Sequence, residues 1–281
     1  MADSYDASSV PPEMLEHYGS GYESQRLFQG ASQIELARTQ ELITRYAPPP
    51  PAIVFDIGGG PGVYACWLAQ QGYEVHLIDA TPLHVEQARQ ASLLQPDAPI
   101  AEIEVGDARD VNRAGTSVDI VLLLGPMYHL TERADRLTAL REAYRVLKPG
   151  GILFAAAISR FTSALDGLRQ ALFDDPTFSP IVERDLTDGQ HRNPTSHPSY
   201  FTTAFFHHPQ ELEAEVKESG FLYDKTLPVE GPLWLSQYAV DNFNDPERRE
   251  RFLALMRRIE QEPSLLGAAA HLLAIAHRAQ Q

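Results

Sequence analysis

One cysteine, Cys66, stands in 281 residues. An internal disulfide and a cysteine-based metal cluster are thereby excluded, and a reducing, cytoplasmic compartment is expected. No apolar run approaches the roughly 20 residues that span a bilayer. The N-terminal MADSYDASSV has neither the basic region nor the apolar core of a leader. Positive charge is scarce: 23 basic residues face 38 acidic ones, a formal balance of −15. Such a surface repels phosphate backbones, so nucleic acid is not expected as a partner and a small-molecule substrate is. Internal repeats are absent, and the only biased segment is the short proline run at 48–51. What remains, 43% apolar and 22% charged, is the composition of a folded chain with one large domain, or a core and a smaller cap.

The pattern along the chain gives that organisation. Residues 1–12 read as a loose tail, and 13–46 as helical, most clearly in SQIELARTQELITRY, where Ile34, Ala37, Leu42, Ile43 and Tyr46 make an apolar stripe. After the prolines, strand and helix alternate. AIVFDIG is a strand; PGVYACWLAQQ is a helix with Pro61 at its first position and Gly72 past its end. YEVHLIDA, AEIEVGD, VDIVLLLG and GILFAAAIS are further strands, with helices over PLHVEQARQASLL and TERADRLTALREAYRVL, the latter capped by Thr131 and broken by KPGG. This alternation implies parallel strands with helices on both faces, an α/β Rossmann-like sheet. Residues 160–207 show no long regular period and read as a lid. The helix PQELEAEVKESG, started by His208, and the strand FLYDKTLPVE follow; 231–270 is mainly helical; HLLAIAHRA is either a helix or a last, antiparallel strand. The expected division is 1–47 as tail and helical cap, 48–159 as cofactor-binding core, 160–207 as lid and substrate region, and 208–281 as the end of the core.

VFDIGGGPG joins the first strand to its helix. A glycine turn there lets a ligand approach bare backbone and uses the helix N-terminus electrostatically. Nicotinamide, flavin and S-adenosylmethionine enzymes share the device. Here it is compressed to Asp56-x-Gly58-x-Gly60-x-Gly62, and an acid beside a pyrophosphate would be repelled, whereas it suits a cation. Asp79, followed by Ala80, ends the second strand where an acid accepts hydrogen bonds from ribose hydroxyls. Asp107 and Ala108, in GDA, end the third near an adenine amine. Acids thus follow three strands at the carboxyl edge of the sheet, and a nicotinamide dehydrogenase has no need of the third.

VFDIGGGPG, LIDA, GDARD, VDIVLLLGPMYHL and VLKPGGILF, in that order, make the chain resemble the class I S-adenosylmethionine-dependent methyltransferases over about residues 50–158. Within the class, LLLGPMYHL is similar to a bacterial group acting mostly on small molecules. The resemblance implies a seven-stranded sheet whose last strand is antiparallel, which favours the strand reading of HLLAIAHRA and makes 231–270 an insertion. It implies S-adenosylmethionine as cofactor, with Leu124 and Gly125 beside it after strand four. It also implies that Arg26 pairs with the cofactor carboxylate and that Tyr18 and Tyr22 close over the site, the latter toward substrate; an exposed helix arginine and core tyrosines are the plain alternatives.

Gly125-Pro126-Met127-Tyr128-His129 would then border the transferable methyl. The signature of base and glutamine N-methylation, the Pro-Cys nucleophile of cytosine C5 methylation and the acid of metal-dependent catechol enzymes are all missing there. A small nucleophile handled by His129 or Tyr128, or by positioning alone, is expected, with His129 the preferred general base because imidazole titrates near neutrality. Packing against the next helix is its plain alternative. His191, His197, His207 and His208 match no compact metal-ligand pattern, and no metal is expected. Tyr200, Phe201, Phe205 and Phe206, with Trp234, either wall an apolar substrate cavity or bury the lid's own underside.

The function expected is methyl transfer to oxygen or nitrogen of a small, partly apolar metabolite, by a protein that is a possible homodimer. An RNA or other macromolecule methyltransferase, a non-catalytic S-adenosylmethionine-binding protein and, disfavoured by the compressed loop, a nicotinamide oxidoreductase are the alternatives.

Overall fold

The computed structural model describes residues 23–195 and 197–280. The expected tail, Tyr18 and Tyr22 lie outside the described residues. Among the described residues two helices, α1 (Glu23–Arg26) and α2 (Ser32–Tyr46), precede a sheet whose first five strands are β1 (Ile53–Ile57), β2 (Glu74–Asp79), β3 (Glu102–Val105), β4 (Val118–Leu123) and β5 (Leu147–Ser159). They pair in the order β3-β2-β1-β4-β5, all parallel. Between them lie α3 (Val63–Gln70), α4 (Pro82–Leu93), the short α5 (Pro126–His129) and α6 (Arg133–Val146).

Period-two alternation divides the apolar side chains between two faces. Val54, Ile120, Leu122 and Phe154 pack with α2, α3 and α4. Phe55, Val121, Leu123 and Leu153 pack with α6 and with α9, the helix Pro209–Glu218. The strand reading of the C-terminus holds: β9 (His271–His277) lies antiparallel between β5 and β8 (Leu222–Pro228). The core is therefore a Rossmann-like seven-stranded sheet with its last strand antiparallel, and residues 231–270 intervene between its last two strands as two α-helices, α10 (Ala239–Asn244) and α11 (Pro246–Ile259), and two 3-10 turns.

Three local expectations need correction. The helix after the glycine loop starts at Val63, not at Pro61; Gly62 is its N-cap, at φ 85°, and a Cβ there would lie 3.1 Å from that of Ala88, so this glycine lets α3 approach α4. Thr131 does not cap α6, whose N-cap is Glu132 with no side-chain bond. The region 160–207 is more regular than its composition suggests. It holds α7 (Thr162–Gln170), α8 (Phe178–Asp188), and two strands, β6 (Gln190–His191) and β7 (Ala204–His207). Because β9 occupies one edge of β5, β7 takes the other edge where β4 leaves it, pairing Ile158 with Phe206. The lid is thus a continuation of the sheet at its carboxyl end.

Buried ion pairs fasten these additions. Arg38 of α2, fully buried, bonds Glu260 at 2.6 Å and the Val229 carbonyl at 3.1 Å, tying the N-terminal helices to the insertion. Arg136 of α6 bonds Glu215 of α9 at 2.8 Å and stacks on Phe205 of β7 at 3.7 Å. Loss of either partner would leave a buried charge unpaired, at a cost of about 3–5 kcal/mol. Among the described residues no helix is long and apolar enough to cross a membrane.

Candidate functional site

Three connected spaces open at the carboxyl edge of the sheet. A first cleft runs from Gly58 and Gly60 past Asp79 to Asp107 and Leu130. A second lies over Asp56, Tyr64 and Leu124. A cavity of about 360 Å³ sits under the lid, walled by Phe178, Phe201, Phe206 and Trp234. Among the described residues, only Glu23 and Tyr128 border all three.

Asp56 ends β1 almost fully buried, and neither carboxylate oxygen has a hydrogen-bond partner among the described residues. Burial, with help from the Asp79 charge, pushes its carboxyl from 3.8 up to about 7. An orphaned buried acid costs the fold stability, and a cation in the second cleft would satisfy it. Gly60, at φ 56°, is the bare point of the loop: a Cβ there would find nothing nearer than His84 Nδ1 at 4.0 Å. Gly58 lines both clefts too, but its Cβ would strike the Pro126 ring at 2.7 Å, so the protein's own packing demands that glycine. Gly62 lines neither cleft, which removes it from the expected ligand contacts.

Asp79 is a junction as well as a wall of the first cleft. It accepts the Gly60 N–H at 2.9 Å and the Thr81 N–H at 2.8 Å, with His84 Nδ1 at 3.2 Å. Ala80 and Ala108 line the same cleft, as does Asp107, whose carboxylate is gripped by Arg109 at 2.6 Å. Leu124 and Gly125 border the second cleft. Arg26 reaches the second cleft and the cavity, but with its guanidinium already forked between Glu23 at 2.8 Å and Glu35 at 2.6 Å. A carboxylate there would share it with two others.

Tyr128 and His129, adjacent in α5, part company. His129 faces the first cleft, with the Phe201 ring 6.1 Å from its own, and does not border the cavity. Tyr128 does. Burial raises the Tyr128 phenol above its ordinary value, Arg26 working against it, so the group stays protonated at neutral pH and acts as a hydrogen-bond donor.

Of the lid aromatics, Tyr200, Phe201 and Trp234 line the cavity. Phe206 lines it too, as expected, but Phe205 does not: on β7 it points to the opposite face, against Arg136. Phe201 is held at φ 57° and ψ −176°, a region costly for any residue with a Cβ, while Asn193 Nδ2 donates to its carbonyl at 2.9 Å. The lid histidines have structural partners. His191 sits between Asp185 at 2.9 Å and the Tyr200 carbonyl at 2.6 Å; His207 meets Glu215 at 3.2 Å; His197 stacks on Tyr200; His208 N-caps α9.

Four acids and bases of the site were not singled out from the sequence: Glu23, Glu35, Glu230 and His271. Glu230 follows β8 and His271 opens β9, so the antiparallel strand brings both to the same sheet edge. Nothing local in either segment marks that meeting.

Residues 55–155 match the family model described as a methyltransferase domain. The ubiquinone/menaquinone biosynthesis C-methyltransferase of Ruegeria sp. is 29% identical over 137 residues, 48% of this chain and 52% of that protein. The 2-methyl-6-phytyl-1,4-hydroquinone methyltransferase of Synechocystis sp. is 26% identical over 74% of this chain and 64% of its own length. The tRNA 5-carboxymethoxyuridine methyltransferase of Escherichia coli is 31% identical over 36% of this chain and 38% of its own length. The chain thus spans about half the length of the first of these relatives. A solved methyltransferase of Methanosarcina mazei shares the fold, with a TM-score of 0.57 at 19% identity, over 85% of this chain and 98% of that one. The domain match and these likenesses support a class I S-adenosylmethionine-dependent methyltransferase and imply S-adenosylmethionine as the cofactor. The residues at the clefts fit it: the orphaned Asp56 carboxylate suits a cationic ligand, and Gly60 leaves open backbone beside it.

Proposed function

We propose that the protein transfers a methyl group from S-adenosylmethionine to oxygen or nitrogen of a small, partly apolar molecule. The observation that carries this reading is the buried, unpartnered Asp56 carboxylate in a cleft that meets an aromatic cavity at Glu23 and Tyr128. In this reading the first cleft takes the adenosine, with Asp79 toward the ribose and Asp107 near the base, and the second takes the amino-acid end.

The bound cofactor supplies an electrophilic methyl on a cationic sulfur. The chain's residues do the rest. Asp56 in its ionised form meets positive charge, and Asp79 fixes the Gly60 backbone while accepting from hydroxyls. Tyr128 donates to the acceptor atom and orients it, and Glu23 is the carboxylate within reach of a proton leaving that atom. Phe201, Phe206 and Trp234 exclude water. Residues 48–159 hold the cofactor, while 160–207 and the insertion 231–270 enclose the substrate.

The quinone-ring methyltransferases among the relatives favour a substrate with an apolar ring, of a size with the 360 Å³ cavity. The transfer RNA relative keeps a macromolecular acceptor open, against the charge of −15. Native mass spectrometry of the purified protein tests the reading: co-purified S-adenosylmethionine or S-adenosylhomocysteine is expected, and a bound nicotinamide dinucleotide would refute it.

A further inference from the structure

Five ionisable side chains form one alternating chain along the wall between the second cleft and the cavity. Glu23 accepts from Arg26 Nε at 2.8 Å, and the Arg26 terminal nitrogens donate to Glu35 at 2.6 and 3.1 Å. Glu35 lies 4.0 Å from His271 Nδ1, which is 2.6 Å from Glu230. Burial works against the His271 imidazolium, but Glu230 and Glu35 outweigh it and raise the group to about 9, so it counts as a cation at neutral pH. A carboxylate stands at both ends of the chain, and three acids face two cations. The other charged pair of the cavity, Asp166 with Arg169 at 2.7 Å, is balanced, and His191 is answered by Asp185. Among the described residues the wall therefore carries one negative charge in excess, and each of its cations already has a carboxylate.

The same wall carries the rings of Tyr128, Phe178, Tyr200, Phe201, Phe206 and Trp234 among small and hydroxyl side chains, and ring faces attract cations. One does so already: the Arg169 guanidinium lies 5.8 Å from the centre of the Trp234 ring. An anion entering this space would compete with carboxylates for every cation it met. A cation would meet surplus negative charge and ring faces.

We propose that the acceptor substrate carries a cationic amine on an apolar body, and that Glu23 is the carboxylate it meets. Glu23 alone of the five borders both clefts and the cavity. That the ligand is a methyl acceptor rests on the methyltransferase reading; the recognition of an amine in the cavity does not.

Calorimetry on the full chain, saturated with S-adenosylhomocysteine, tests this with 2-phenylethylamine, 2-phenylethanol and 3-phenylpropanoate, which differ in their end group. The amine is expected to bind at least about tenfold more tightly than the alcohol, and the acid more weakly than either. Glu23→Gln should bring the amine close to the alcohol. Glu230→Gln, at the far end of the chain, should shift the ratio in the same direction and serves if the first variant does not fold. Equal binding of amine and alcohol, tighter binding of the acid, no binding of any probe, or an amine preference untouched by both variants would overturn the proposal. The cofactor reading fails separately, by absence of S-adenosylhomocysteine binding to the wild type; the same three probes, titrated into the free protein, then still decide the amine.

Discussion

Asp79, at the end of β2, accepts the backbone N–H of Gly60, in the loop after β1, at 2.9 Å. One side chain thereby joins the glycine loop to the neighbouring strand end and, through Thr81 and His84, to the next helix. Asp79→Ala should weaken S-adenosylhomocysteine binding at least roughly tenfold, since each hydrogen bond to a charged group contributes about 1.5–3 kcal/mol. The internal bonds predict a second effect, a lowered melting temperature, that a pure ligand contact would not give. Calorimetric affinity and a thermal melt read the two separately; a folded variant with unchanged affinity removes Asp79 from the site.

The neighbouring Asp56 makes binding depend on pH. Its carboxyl titrates at about 7 rather than 3.8, so the folded chain holds this proton more tightly than the unfolded chain. The stability so gained is complete below about 3.8 and is lost as pH rises through about 7. Between pH 4 and 8 the wild type should lose on the order of 2–4 kcal/mol more than Asp56→Asn. A cationic ligand needs the ionised acid, so wild-type affinity for S-adenosylhomocysteine should rise from pH 6 to 8. Parallel stability profiles of wild type and Asp56→Asn would show that Asp56 titrates normally.

His271 gives the opposite end of the pH range. With its folded value raised to about 9 by Glu230 and Glu35, against burial, its contribution is present below about 6.5 and fades as pH rises through about 9. His271→Gln should flatten the fall in melting temperature between pH 7 and 9.5. A fall of the same steepness in the variant would take the imidazolium out of the chain of charges.

Tyr128 and His129 reach different spaces. His129, next to the fourth strand in sequence, is the natural base candidate, but it faces the first cleft and packs toward Phe201, while Tyr128 borders every space. Once an acceptor is turned over, Tyr128→Phe should lower kcat by about tenfold or more, and His129→Ala by less, with its main effect on cofactor affinity. A loss of about 10²–10⁴ in kcat for His129→Ala would restore it as the base.

Phe205 and Phe206 test the lid strand. Phe206→Ala should enlarge the cavity and change probe binding, whereas Phe205→Ala should leave probe binding alone and cost stability, by about 3–5 kcal/mol as for other buried phenylalanines. Identical effects of the two on probe binding would contradict the alternation of β7.

The sheet was legible because its signals are local. Apolar runs of five or six residues, acids at three strand ends and the glycine turn after β1 each announce themselves within a few positions. The lid was not. Its strand β7 is fixed by an edge of β5 that only the end of β4 leaves free, and its helices by burial of residues such as Phe178 and Ile181. The alternating chain of charges draws on α1, α2, the residue pair after β8 and the start of β9, positions more than 200 apart in sequence, so nothing local marked Glu23, Glu35, Glu230 or His271, and Arg26 drew notice only as a cofactor contact. Pro61 misled as a first helical position because the loop before α3 takes its geometry from a tertiary contact, Gly62 against Ala88; Thr131 misled as a cap because the N-cap of α6 lies one residue later, at Glu132.

The central claim is that the clefts are built for S-adenosylmethionine, and titration calorimetry of the purified protein with S-adenosylhomocysteine and, separately, with NADH tests it most directly. S-adenosylhomocysteine should bind with one site per chain and NADH should give no heat of binding. Saturable NADH binding with none for S-adenosylhomocysteine would contradict it.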